Sequence, residues 1–470
     1  MRILLGDRRD ITLEVIAAVT RRGAGVELAT GALERMERCH IAFEALVADR
    51  LRRDPGALVY GVTSAPGDGA AVPLDAGAAA GRPTQLWTAA SFGRPLPERV
   101  TRAIVTARLA NFLGGHAAVR ASTAQAVAAM LESGPLPPVP AQGNGGSGEI
   151  LALGSLFRPL SAERDLTAKE RMALINGSPC AAALVADVAL AAQRRLELVE
   201  SVFALAADGA GMPDEHIAPE LEDLWGDEHE TAALRSLRAL LEGSDRIRQS
   251  HQAAVSLRIL PRMLGAARRA VAESAAAATV ALASVTDNPV FLPPGHSRPL
   301  GEVYSTGGYH NARAVAAIDG VAFAQADLCQ LAQRLTDHLF QHPGTAPLIV
   351  ANEWGLKPLH MVQTGWAEEA RSLAQPTLLS LGGFGQNDVP VLTVSGWRRA
   401  VAIGDCLDAA LAVLAVIASQ LLYAGRRSAP PALESLLERV RAACAPVTEP
   451  RALGLDCQRL ADELGGLVVA

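Results

Sequence analysis

Apolar residues recur at helical spacing through most of the chain, in runs too long for strands and separated by short polar turns. Residues 13–53 carry this periodicity with charged interruptions, after which "DPGALVYGVTSAPGDGAAV" turns to loop chemistry. The pattern returns over 97–132, broken at Gly114–Gly115, and gives way to "SGPLPPVPAQGNGGSGE". A helix is expected over 178–206 after the turn "INGSP", and the acidic stretch 208–230, with its Pro and Gly, reads as a surface excursion. Four long helices are expected over 261–284, 311–342, 360–380 and 390–425, each longer than an average globular helix. There is no fixed-period repeat, heptad run or alternating strand signature. The pattern predicts an all-α fold, a long-helix bundle sharing one extended core.

Composition sharpens that picture. Half of the 470 residues (50%) are hydrophobic but only 4% are aromatic, so Ala, Leu and Val must do the packing, which suits close helix–helix contact. A formal charge of −6, with scattered Arg pairs and no interleaved aromatics, gives no reason to expect nucleic acid. Six cysteines without CxxC spacing read as reduced, mostly buried thiols of a cytoplasmic protein. "MRILLGDRRD" is no secretory signal, and no uninterrupted apolar stretch is expected to reach membrane-spanning length. "DAALAVLAVIASQLLYAG" comes closest and reads as a core helix. His338 and His342 have metal-ligand spacing on a helix, but without an HExxH acid or a third ligand no metal is expected.

The chemically suggestive stretch is "AQGNGGSGEI", residues 141–150, which has two readings. It is a flexible Gly/Ser loop, or it is a loop that reacts with itself. In the second case the nitrogen of Gly148 attacks the carbonyl carbon of Gly146. Loss of water and of the Ser147 hydroxyl then leaves an electrophilic imidazolone with an exocyclic methylene, known as MIO. A glycine as attacking residue has no Cβ to crowd the nitrogen, and serine carries the β-leaving group.

The rest of the chain bears on that choice. "LVYGVTS", "VPAQGNGGSGE", "ALINGSPCAAAL", "VSLRILPRMLG", "SVTDNPVF", "STGGYHNARAVA" and "GFGQND" follow in an order that resembles the aromatic amino-acid ammonia-lyase family, which includes histidine and phenylalanine ammonia-lyases. The resemblance runs from about Ile11 to Arg427. It implies an all-α bundle of the ammonia-lyase, aspartase-like type. A loop-rich N-terminal domain (1–177) would carry the Tyr60 and serine loops, followed by a central long-helix bundle (178–425) and a C-terminal helical segment (426–470). It implies a cytoplasmic homotetramer whose sites draw residues from three chains, acting on a small amino acid, with no nucleic-acid or membrane partner.

The same resemblance assigns roles. Gly146, Ser147 and Gly148 would form MIO, and Tyr60 would exchange a proton at the substrate β-carbon. A phenol with a reference pKa near 10 needs a nearby positive field to serve as a base. Arg258 would pair with the substrate carboxylate through its planar fork, assisted by Asn176. Tyr309 stands where the family has a phenylalanine, and Leu86–Trp87 align with its specificity pair. Gln386 is kept from the "GQEDH" segment. Asn387 replaces that segment's acid, and Lys357 replaces an asparagine, bringing a group able to bind an anion or act as a base. Val255 replaces the family's second tyrosine, Ala283 and Gly308 replace asparagines, and Glu149 replaces an aspartate.

Three functions follow. The first is elimination of ammonia from an α-amino acid, or its aminomutase variant, using MIO. The second is an MIO-less elimination of an already activated amine, as in ergothionase-like members that release trimethylamine. The third is a catalytically silent scaffold or binding protein.

Overall fold

A computed structural model describes residues 1–74, 88–132, 134–343, 356–379, 382–383 and 385–469. The long helices form close to where the periodicity places them, as Pro179–Gly209, Leu260–Ala283, Ala312–Phe340, Lys357–Leu373 and Thr393–Ala424, except that the one expected to run to 380 ends at Leu373, ahead of Pro376. The run 97–132 divides at its glycine pair into Glu98–Leu113 and Ala121–Ala129. The fold is predominantly helical, as expected.

Three sequence expectations are corrected. The helical run 13–53 is interrupted by a strand, Gly25–Leu28, which pairs in parallel with Arg2–Leu5. Gly23, at φ +64°, ends the first helix, and the strand buries Val26 and Leu28 while exposing Glu27. Four residues are too few for alternation to stand out from helical periodicity. A second pair, Val290–Leu292 with Glu302–Tyr304, is equally short. The stretch 208–230 is not a plain excursion, because Asp208 is fully buried and Asp214–Ile217 and Glu220–Trp225 are helical turns. Finally, three helices, Ala168–Gly209 (read across the turn at 176–178), Ala312–Phe340 and Thr393–Ala424, are long and apolar enough to cross a membrane. Small residues between the larger apolar ones carry the hydropathy past the interruptions. The most apolar windows of these three are 94%, 50% and 83% buried inside the protein.

The chain forms two compact units, each assembled from separate stretches. The first comprises Met1–Asp187, Ser274–Ala317 and Thr377–Arg398; the second comprises Val188–Glu273, Ile318–Pro376 and Arg399–Ala470. In the first unit the helix Glu98–Leu113 is buried almost throughout, with Arg108 and Asn111 among its buried residues, as suits a central helix. Phe43 meets Phe291 edge to face beside it, centroids 5.5 Å apart. In the second unit the same place is taken by the long run Cys406–Leu422, dominated by Ala, Leu and Val. There Arg195 and Asp408 form a buried bidentate pair at 2.8 Å on both bonds. All six cysteines are buried and unpaired.

The first unit also holds charge at its centre. Lys169 and Asp287 form an ion pair with both side chains fully buried, and Arg108, equally buried, lies near enough to feel the Asp287 charge. Burial pushes Lys169 below the ordinary lysine range, opposed by Asp287. Removing one partner strands the other in low dielectric. Lys169→Met is expected to cost about 3–5 kcal/mol in denaturant unfolding, whereas the double variant Lys169→Met/Asp287→Leu recovers most of that loss. A double variant as unstable as the single one would contradict the pairing.

Candidate active site

Seven of the residues singled out in sequence converge on one cavity of about 350 Å³ within the first unit. Tyr60, Ser147, Gly148, Asn176, Tyr309, Gln386 and Asn387 line it, together with Met172, Ile150 and Asn288. Each stretch reaches the cavity because the next one braces it. Thr286 and Asn288 of "SVTDNP" do most of this. The Thr286 hydroxyl oxygen accepts the Ser178 N–H at 2.9 Å and so fixes the asparagine turn. The Asn288 side-chain oxygen accepts the Thr306 N–H at 2.8 Å and fixes the turn that carries Tyr309. Asn176 closes the helix Ala168–Ile175, its side-chain oxygen taking the Gly177 N–H at 2.8 Å. Gly177 sits at φ +95°, where an added Cβ would lie 2.9 Å from the Arg108 guanidinium, so only glycine fits. That guanidinium donates to the Asn176 backbone carbonyl.

The glycine-rich stretch is held at several points, unlike a linker. The Gly146 carbonyl oxygen accepts the Val391 N–H at 2.8 Å. The Ser147 hydroxyl donates to the Asn387 side-chain oxygen at 2.7 Å. Glu149 is buried, and its two carboxylate oxygens accept the N–H groups of Cys180 and Ala181 at 2.6 and 2.7 Å. These are unpaired donors of the first turn of Pro179–Gly209. Asn387 therefore does not leave a gap where the family has an acid, since it holds the serine.

Over the cavity, the Tyr60 loop and the 385–387 turn are tied together by Asp68, whose carboxylate accepts the Gln386 N–H at 3.0 Å. The Tyr60 phenol oxygen accepts the Gly67 N–H at 2.9 Å. The positive field anticipated for Tyr60 is not what acts on it. Burial raises its pKa above the ordinary value, the Gly67 N–H lowers it, and charge on Tyr309 or Asp68 raises it further.

Other expected residues lie elsewhere. Arg258 and Lys357 belong to the second unit and are not among the cavity's lining residues. Arg258 donates to the Ala253 carbonyl at 3.0 Å, and Lys357 is an exposed residue opening its helix. Val255 is 57% exposed. Leu86 and Trp87 lie outside the described residues. His338 and His342 are pushed below the ordinary histidine range by burial, and no group of three metal-binding side chains occurs among the described residues.

Sequence reasoning passed over the structural work of Glu149, Asp68, Asn288 and Val391. Glu149 and Asn288 stood inside quoted motifs and could have been found there. The partner of Asp68 lies 318 residues away, and no local signal marks it.

Comparison with known proteins fits this geometry. A sequence profile described as aromatic amino acid lyase matches residues 11–167 and 162–442. A histidine ammonia-lyase from Symbiobacterium thermophilum is 29% identical over 500 residues, covering 98% of this chain and 96% of its own. Two solved structures share the fold. Tyrosine aminomutase from Streptomyces globisporus has a TM-score of 0.85 at 22% identity, over 99% of this chain and 97% of its own. Ergothionase from Treponema denticola has a TM-score of 0.89 at 15% identity, over 100% and 99%.

Burial pushes the Glu149 carboxyl up from 4.5 to about 7, against the N–H groups of Ala181 and Cys180 and the Arg108 charge. A folded-state pKa above the unfolded one means that folding favours the protonated form. The Glu149 contribution is complete below pH 4.5 and is lost as pH rises through about 7. Measured against Glu149→Gln, the wild-type advantage in denaturant unfolding should fall with rising pH by up to about 3 kcal/mol. A difference that stays flat across that window would contradict the raised carboxyl.

Proposed function

Since the chain belongs to the aromatic amino acid lyase family, we propose that it is a carbon–nitrogen lyase, or its aminomutase variant, using an MIO ring made from Gly146, Ser147 and Gly148. The observation that carries this reading is the Val391 N–H on the Gly146 carbonyl oxygen. Attack by the Gly148 nitrogen builds negative charge on that oxygen, and a fixed donor already aimed at it lowers the barrier. The residues present fit the ring. Gly148 leaves its nitrogen uncrowded, and a Cβ on Gly146 would meet nothing closer than the Gly148 oxygen at 3.5 Å. Glycine therefore serves there as well as the family's alanine. When formed, the ring supplies an electrophile that bonds to the substrate and makes the amine a better leaving group.

The chain's own residues do the rest. Tyr60 exchanges a proton at the β-carbon, and Asn176 offers its amide to the substrate carboxylate. Gln386 lines the cavity, and Asn387 keeps Ser147 in place. Apart from two tyrosines, no ionisable side chain lines the cavity among the described residues. This favours an amino acid with an uncharged, apolar or aromatic side chain, and Leu86–Trp87 would shape that end of the site. The substrate carboxylate needs a cation, and none lines the cavity among the described residues. Arg258 from a neighbouring copy supplies it in the homotetramer we propose, with Lys357 as a second source of positive charge. Surface left open on the long helices supports such an assembly. The apolar window of Ala312–Phe340 is only half buried, and Phe323, Met361 and Val362 are exposed.

Purified protein given amino acids with neutral side chains should release ammonia or return the β-amino isomer, and Ser147→Ala should reduce either activity to background. Undiminished turnover by Ser147→Ala would overturn the reading. If such turnover were confined to substrates with a quaternary amine, it would point to elimination without the ring.

A further inference from the structure

The family's second tyrosine is Val255 here, and valine can move no proton. The cavity nevertheless contains two phenols. Tyr309 lines it with Tyr60, and its ring edge lies 3.6 Å from where a Cβ on Gly148 would stand, directly against the serine loop. Its position is imposed by the Asn288 bond to Thr306, so the phenol is carried on a braced turn. We propose that Tyr309 is a catalytic residue, the second acid–base group of the site, and that it works with Tyr60 as a pair sharing one proton. This rests on the lyase reading above.

The chemistry of such a pair balances. With Tyr60 as phenolate and Tyr309 as phenol, Tyr60 takes the β-proton and the C–H electrons become the new double bond. The C–N bond breaks onto nitrogen, which takes the Tyr309 proton; the bond this nitrogen would hold to the ring would then break with its electrons on nitrogen as the ring's methylene double bond reforms, freeing the amine. The pair ends with Tyr60 protonated and Tyr309 ionised. Transfer of one proton from Tyr60 to Tyr309 restores the starting state, with no outside oxidant or co-reactant. Two nearby phenols resist double ionisation for the same reason that paired carboxylates do. Both phenols line the same cavity, so a phenolate on Tyr309 opposes ionisation of Tyr60, adding to the larger effect of burial. Among the described residues, the other charge acting on Tyr60 is that of Asp68, and the Gly67 N–H donates to its phenol oxygen.

The test is Tyr309→Phe, which keeps the ring against Gly148 and removes only the hydroxyl. The chain has four tyrosines, Tyr60, Tyr304, Tyr309 and Tyr423, so phenolate formation can be followed by ultraviolet titration and assigned with single Phe variants. In Tyr309→Phe, Tyr60 should ionise at lower pH than in the wild type. The kcat should fall about a hundredfold or more, KM should change less, and one limb of the pH–rate profile should disappear. An unchanged Tyr60 titration, or unchanged kcat and pH profile, would overturn the pair. If the wild type releases no amine from any amino acid, the lyase reading fails on that result. The titration then still decides whether the phenols are coupled.

Discussion

One buried carboxylate sets the geometry on which the rest of the site depends. Glu149 follows the Gly-Ser-Gly triplet directly and places both oxygens on the first-turn N–H groups of the helix Pro179–Gly209. An anion is favoured there by the helix dipole and by donors that would otherwise be orphaned. The bond fixes where the glycine-rich stretch must end and where the helix Ile150–Glu163 begins. The triplet is thereby held between Glu149 on one side and the Val391 donor on the other. Burial makes this anchor costly as a carboxylate, which is why its pKa moves toward neutrality.

The same economy of charge runs through the first unit. Arg108, Lys169 and Asp287 are buried together near the asparagine turn, and the Asp287 charge offsets two cations that oppose each other. Among the described residues the cavity's polar lining is neutral: two phenols, several amides and the hydroxyls of Ser147, Ser305 and Thr306. A cavity of this kind grips an uncharged side chain well and a substrate carboxylate poorly. In the assembly proposed above, a neighbouring copy would supply the cation and cover the half-buried apolar helix.

Much of this was legible in the sequence, for identifiable reasons. Long helices announce themselves through sustained periodicity, so Pro179–Gly209 and Thr393–Ala424 stand within a few residues of their expected ends. Tyr60, Ser147, Asn176 and Tyr309 could be grouped because motif order carries information that local spacing does not. The short strand Gly25–Leu28 was missed because four residues cannot distinguish alternation from a helical face. The electrostatic setting of Tyr60 was also beyond reach. It depends on Asp68 and Tyr309 arriving from two separate turns, and sequence suggested a cation where the structure supplies neighbours that raise the phenol's pKa. Asn387, read as a lost acid, proved to be the hydrogen-bond partner of Ser147.

The central claim is that this held triplet reacts with itself. Intact mass of the purified protein, followed by mass analysis of the proteolytic peptide containing residues 146–148, tests it without any knowledge of the substrate. Ring closure predicts a chain lighter than the encoded sequence by two water molecules, with the whole deficit in that peptide. A chain of the encoded mass would contradict it and leave the Val391 donor with a purely structural role.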